Sequence, residues 1–257
     1  MISAPELRLV ALPDFPQVAS GDDLAAFTIE ALARCGLELR AHDVLVFAQK
    51  VISKAEDRRI DLATIVPSAR ALEMAQAVRK DPRLVELILR ESRRVVRSAP
   101  DVLIVEHRLG LIMANAGIDQ SNVADPAGGD YALLLPEDPD ASAARLRERL
   151  RASTGHAPGV VISDSFGRPW RVGTVGVAIG CAGFPATLDL RGQPDLFGRP
   201  LRVTVVGHAD EIASAASVLM GQGREARPVV LVRGMRLQSP AQPAAALIRP
   251  QQQDLFR

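Results

Sequence analysis

An α+β fold is predicted for this chain on three observations. Short apolar runs at Val44–Ala48, Val160–Ile162 and Val229–Val232, rich in β-branched residues, read as buried strands. Capped, amphipathic stretches between them read as covering helices. Hydrophobic content of 47% and charged content of 24% are ordinary for a globular chain, so 257 residues suffice for one large unit or two modest subdomains.

In chain order, Leu7–Leu12 alternates like a strand and stops at Pro13-Asp14-Phe15-Pro16. Ser20-Gly21-Asp22-Asp23 caps a helix over Leu24–Cys35, which Gly36 ends. Val44–Ala48 is a continuous apolar strand inside a sheet. Its exit, Gln49–Glu56, carries Lys50 and Lys54, which either meet an anion or form a solvated helix start. Pro67-Ser68 opens a helix to about Lys80, and Asp81-Pro82 opens another over Arg83–Arg93. Val102–Glu106 and Leu109–Ala114 form a hairpin around Arg108.

Asn115–Asn122 follows, dense in amides, hydroxyl and carboxylate; such stretches are often turns, but Asp119 and Asn122 also suit a metal and a phosphate. Leu133–Pro136 is a short strand and Asp140–Leu150 an amphipathic helix. The strand at Val160–Ile162 then ends in Ser163-Asp164-Ser165, where rigid backbone meets an accessible loop. Arg168, Trp170 and Arg171 lie in that loop. Val172–Gly183 is Gly-rich and apolar, a place for the backbone to approach a ligand. Phe184–Arg199 is loop, Leu201–Val206 strand, and Asp210-Glu211 starts a helix to Met220. Gly221-Gln222-Gly223 ends that helix. The tail Pro240–Arg257 is expected to run over the surface.

Several classes are excluded or disfavoured. A net charge of +1 gives no case for nucleic acid or an anionic membrane. Two distant cysteines, Cys35 and Cys181, fit a reducing cytoplasm better than a disulfide scaffold. No signal peptide or apolar run of membrane-spanning length is visible, so a cytoplasmic location is expected. The P-loop and G-x-S-x-G patterns are absent. Gly221-x-Gly223-x-x-Ala226 follows a helix instead of joining a strand to one, so it is not a dinucleotide fingerprint. His42, His107, His156 and His208 lack metal-ligand spacing.

One ordered set of segments goes further. Leu12-Pro13-Asp14-Phe15, Gly21-Asp22-Asp23-Leu24, Ile52-Ser53-Lys54-Ala55-Glu56, Ala114–Asn122, Ser163–Arg168, Ala209–Ala213 and Met220-Gly221 together resemble the coenzyme F420:L-glutamate ligase family, also called F420-0:gamma-glutamyl ligases. The resemblance spans about Leu7 to Gly234. It implies the family's own fold, mixed sheets with covering helices, forming an intertwined homodimer. It also implies GTP-dependent addition of L-glutamate to coenzyme F420-0 with Mg²⁺ or Mn²⁺, often with potassium. By the same resemblance, Leu12, Pro13, Asp14, Phe15, Gln49, Lys50, Lys54 and Asn122 fall on GTP-binding positions, and Met220, Gly221 and Gly223 on a nucleotide-binding turn. Asp119, Asp164, Ser165 and Gln222 fall on metal positions, with Lys54, Asp119 and Asp164 as the catalytic groups. Ser165 stands where Thr is usual, Asp57 where Gly is frequent, and Gln222 is neutral. Without the nitroreductase-like domain fused to some relatives, glutamylation alone is expected.

The residue types suit that chemistry. Phosphoryl transfer needs positive charge on the phosphate oxygens and in-line positioning, which Lys50, Lys54 and a divalent ion on hard oxygen ligands provide. Arg168 and Arg171 are candidates for holding substrate phosphate or carboxylates, or for a salt bridge. Two rivals stay open at this point: a metal-dependent phosphoester hydrolase, and a non-catalytic nucleotide-binding module.

Overall fold

The structure is a computed structural model that describes residues 4–121, 123 and 128–255. Its main sheet begins with β1 (Arg8–Ala11), and α1 (Leu24–Arg34) follows, with the Asp23 carboxylate accepting from the Ala25 and Ala26 N–H groups. Then come β2 (Val44–Ala48) and, with no loop between, α2 (Gln49–Ala55). A short β3 (Arg59–Asp61) leads to α3 (Ala69–Val78), capped by Ser68, and α4 (Pro82–Arg90), capped by Asp81. The hairpin region comprises β4 (Ser92–Ala99), β5 (Val102–His107) and β6 (Ile112–Ala114). After β7 (Tyr131–Leu133), α5 (Pro139–Thr154) has Asp138 as N-cap, Pro139 at its first turn and left-handed Gly155 at its end. The rest is β8 (Gly159–Arg168), β9 (Arg171–Ala182), β10 (Leu188–Asp189), β11 (Val205–Val206), α6 (His208–Met220) and β12 (Val229–Arg233).

The five-stranded sheet has the order β1-β12-β2-β8-β9, antiparallel except for the β2/β8 pair. Side-chain alternation along β2 divides two cores. Leu45 and Phe47 pack with Leu32 of α1 and Leu146 and Leu150 of α5, whereas Val44 and Val46 pack with Ile212, Ala213 and Ala216 of α6. Helices therefore cover both faces, which is why β2 reads as a continuous apolar run. A third core joins α3, α4 and the β4-β5-β6 sheet around Val78, Ile88, Leu103 and Val105.

Several expectations change. The strand from Gly159 does not end at Ser163; it runs through Ser163-Asp164-Ser165 to Arg168, because β9 pairs with it along that whole length. Its partner β2 stops at the Ala48–Ser163 pair, so Asp164 onward belongs to a two-stranded ribbon projecting past the sheet. Two of the glycines of β9, Gly176 and Gly180, make room for helices. A Cβ on Gly176 would lie 2.5 Å from the Ala213 carbonyl oxygen, and one on Gly180 would lie 2.4 Å from that of Pro139. The helix expected to reach Arg93 stops at Arg90, since Ser92–Ala99 is a strand paired with β5. Leu201–Val206 is strand only at Val205–Val206, and the strand expected at Leu133–Pro136 lies at Tyr131–Leu133. The tail is partly anchored. Asp140 accepts from the Cys181, Ala244 and Ala245 N–H groups, and Ala244 is buried.

Candidate active site

The carboxyl end of the parallel pair β2/β8 opens into a cleft of about 500 Å³. Ligand sites in sheets with parallel strands recur at such ends, because the chain must leave the sheet there and exposes backbone and polar side chains. Here β2 hands over directly to α2, which places Gln49, Lys50 and Lys54 on one wall. The ribbon contributes Asp164 and Ser165, and the turn after α6 contributes Met220, Gly221, Gln222 and Gly223. Phe15 and Asp119 complete the predicted residues that line it.

Asp119 arrives from another part of the fold, held by reciprocal backbone hydrogen bonds with Leu133 of 3.1 and 2.8 Å. The backbone before it is unusual: Asn115, Ala116 and Gly117 all have left-handed φ, of 53°, 53° and 67°. Gly117 has little choice, since a Cβ there would meet Met113 Cε at 2.6 Å. Lys50 Nζ reaches the Asp119 Oδ2 at 2.6 Å and the Ser121 Oγ at 2.7 Å. The Ser121 N–H donates to Asp119 Oδ1 at 2.6 Å. Burial opposes ionisation of Asp119, but the Lys50 and Ser121 hydrogen bonds outweigh it and hold the carboxyl below its usual range.

Asp164 behaves in the opposite way. Burial of the carboxyl, reinforced by the Asp119 charge, pushes it up to about 6, against the Ser165 N–H and the Lys50 charge. The residue as a whole is part-exposed and lines the cleft. Lys54 is lowered by burial and by the charges of Lys50 and Arg59. Gln49 is 2% exposed; its Oε1 accepts from Ser53 Oγ at 2.8 Å, and its Nε2 has no hydrogen-bond partner among the described residues. A buried donor left unsatisfied is costly, and Gln49 is one of the residues lining the cleft.

These groups fit a hard divalent cation. Asp119 and Asp164 border one cleft and feel each other's charge, and Ser165 Oγ lies 2.8 Å from Gln222 Oε1 on the same rim. Among the described residues no three His, Cys, Asp or Glu side chains form a metal-binding group; the predicted metal residues would offer two carboxylates, a hydroxyl and an amide oxygen. That sparse oxygen set suits Mg²⁺ or Mn²⁺, which complete their coordination with water and substrate phosphate.

Other predicted residues are placed elsewhere. Leu12 is fully buried in the core, and Pro13 and Asp14 are exposed outside the cleft lining, their carbonyls accepting from Arg34. Asn122 lies outside the described residues. Asp57 takes a left-handed φ of 57°, the conformation a Gly would adopt without cost. Arg168 and Arg171 belong to the ribbon's far end, where Arg168 donates to the Gly173 carbonyl at 3.2 Å; neither lines the cleft. Sequence reasoning missed Ser121, Arg224, Glu225 and Arg227, all of which line it. The signal for the last three was the charge cluster directly after the Gly221–Gly223 turn.

A family model described as F420-0:Gamma-glutamyl ligase matches residues 14–234. The chain is 46% identical over 258 residues to the coenzyme F420:L-glutamate ligase of Methanopyrus kandleri, covering 98% of each. It is 43% identical over 256 residues to the enzyme of that name from Methanothermobacter thermautotrophicus, covering 98% of this chain and 99% of the relative. The Halorubrum lacusprofundi protein of the same name is 46% identical over 233 residues, with 88% of this chain and 87% of the relative covered. No helix among the described residues is long and apolar enough to cross a membrane.

Proposed function

The chain belongs to the F420-0:gamma-glutamyl ligase family, and on that premise we propose that it uses GTP to join L-glutamate through γ-linkages to coenzyme F420-0, releasing GDP and phosphate. The observation that carries this reading is the convergence of Lys50, Lys54, Asp119 and Asp164 on one cleft at the β2/β8 carboxyl end. GTP and the acceptor are both polyanionic, and a cleft with two lysines, and two carboxylates that would hold a cation, suits phosphate groups.

The reaction proceeds in two displacements. A carboxylate oxygen of the acceptor attacks the γ-phosphorus of GTP, the bond to the β-phosphate oxygen breaks, and GDP leaves. The acyl phosphate so formed is attacked at its carbonyl carbon by the free amine of glutamate. The amine loses its proton, the C–O bond breaks, and phosphate departs with the amide left behind. Asp119, Asp164, Ser165 and Gln222 would hold a divalent ion, which would supply charge neutralisation at the phosphate oxygens. Lys50 and Lys54 supply the remaining positive charge, Lys54 through an ammonium partly stripped of water and so strengthened as a phosphate partner. Gln49 lines the same wall, and its Nε2, unpaired among the described residues, would donate to the nucleotide once the side chain turns toward the cleft.

The family reading also includes a homodimer. The β8–β9 ribbon supports it, because a two-stranded ribbon is marginal alone and this one exposes Trp170 at 87% and Val172 at 103%. Measuring GDP release with glutamate or acceptor withheld tests the activity. The ligase needs both; a metal-dependent phosphoester hydrolase, or a module that only binds nucleotide, would show no such dependence.

A further inference from the structure

Lys50 sits on the atom that a metal would take. Its Nζ lies 2.6 Å from Asp119 Oδ2, and the Ser121 hydroxyl at 2.7 Å holds the ammonium there from a second side. The other Asp119 oxygen, Oδ1, accepts the Ser121 N–H, which fixes the orientation of the carboxylate. The Lys50 charge also bears on Asp164, so this ammonium serves both carboxylates of the cleft. A divalent ion bound to Asp119 Oδ2 would lie at roughly 2.0–2.6 Å from that oxygen. It would then be within a few ångströms of the ammonium, in a partly desolvated cleft where like charges repel strongly. Each cation therefore weakens the hold of the other on Asp119.

We propose that Lys50 is an internal counter-ion that competes with the divalent metal for Asp119, and that metal binding displaces its ammonium into the cleft, where it serves the anionic substrate. The inference rests on the two-carboxylate metal reading given above and adds to it an exchange of cations. A lysine suits the task, being a compact point charge on a four-carbon stem that changes direction by rotamer alone. Its backbone stays fixed, because Lys50 is the second residue of α2, between buried Gln49 and Val51. The exchange makes metal and substrate binding mutually reinforcing: the metal frees a cation for the substrate, and a substrate anion that holds Lys50 frees Asp119 for the metal.

The test is direct binding of Mn²⁺, followed by the loss of its free-ion electron paramagnetic resonance signal, to wild type, Lys50→Met and Lys54→Met without nucleotide. The expected result is that Lys50→Met tightens the Mn²⁺ Kd by about tenfold or more. Lys54→Met, which removes the same unit of charge from the cleft, should tighten it several times less. Lys50→Gln repeats the measurement with a polar neutral side chain in case Met at this site disturbs folding. Equal or weaker Mn²⁺ binding by the Lys50 variants overturns the exchange while leaving the metal site standing. So does equal tightening in Lys54→Met, which would mark a general charge effect. Absence of Mn²⁺ binding in wild type and all variants overturns the metal reading itself, and the exchange with it.

Discussion

Ser165 Oγ donates to Gln222 Oε1 across 2.8 Å, tying the β8–β9 ribbon to the turn that ends α6. One bond thus joins two segments that line the cleft. Ser165→Ala removes both this tie and a hydroxyl from the oxygen set, whereas Ser165→Thr keeps the hydroxyl. Ser165→Ala should lower kcat/KM about tenfold, an amount typical of one lost hydrogen bond to a charged centre, with Ser165→Thr within a few-fold of wild type. Steady-state kinetics at saturating Mg²⁺ decide it. Equal loss in both variants would remove the hydroxyl from the account.

Lys54 gives a prediction in pH. Its pKa is lowered by burial and by Lys50 and Arg59, so it loses its charge at lower pH than a free lysine, whose ordinary value is 10.5. If its ammonium holds phosphate, kcat/KM for GTP should fall along an alkaline limb below pH 10.5. Lys54→Ala should raise the apparent KM for GTP or lower kcat by about tenfold. Lys54→Arg should move the limb upward, since a guanidinium stays charged. A flat alkaline profile in wild type would return Lys54 to a structural role.

Glu91 links the third core to the loop before α5. Burial alone would raise its carboxyl, but hydrogen bonds from His107 and Arg108, and the charges of Arg108 and Arg58, bring it down to about 2. The His107 contact is the longest of the three: its Nδ1 accepts the Leu109 N–H, so Nε2 carries the proton toward Glu91, and at 3.5 Å it acts as an electrostatic contact. The folded pKa lies below the unfolded one, so the stabilisation is complete above about pH 4.5 and is lost as pH falls toward 2. Glu91→Gln should cost on the order of 3 kcal/mol near neutrality and almost nothing near pH 2. Urea unfolding of both proteins across that range measures it; a gap independent of pH would refute the assignment.

How much of this was legible follows from what each residue packs against. Val44–Ala48 was plain because both faces of β2 are buried, so every side chain is apolar. Ser92–Ala99 was not, because this edge strand carries Arg93, Arg94 and Arg97, and the Arg94 partner is Glu106 on the neighbouring β5. Its stability comes from cross-strand pairing, which leaves no apolar period. The ribbon beyond Ser163 failed for the same reason, its polar side chains resembling a loop. Gly176 and Gly180 advertised a close approach correctly, but sequence cannot say whether a ligand or a helix approaches. In the cleft, Lys50, Lys54, Asp119 and Asp164 were identifiable by type and order, while the Ser121 contacts and the Arg224–Arg227 wall depend on tertiary placement.

The two glycines yield a stability prediction. Gly176→Ala and Gly180→Ala drive a methyl into the Ala213 and Pro139 carbonyls, which belong to helix backbone and cannot rotate away. Each should destabilise by roughly 1–3 kcal/mol or more, with the lost area between helix and sheet reported as a lower thermal midpoint. Unchanged midpoints would mean that the helices ride more loosely on β9 than the structure has them.

On the proposed function, Asp119 and Asp164 serve one ligase centre. Mass spectrometry of coenzyme F420-0 incubated with the protein, GTP, L-glutamate and Mg²⁺ or Mn²⁺ tests it most directly, in wild type, Asp119→Asn, Asp164→Asn and the double variant. The account predicts one or more glutamyl additions by wild type, with GDP formed in step. It predicts loss of both in each single variant and a double variant little worse than either, as expected of groups that act as a unit. GDP release at the same rate without glutamate or acceptor, or glutamyl addition that survives in either single variant, would contradict it.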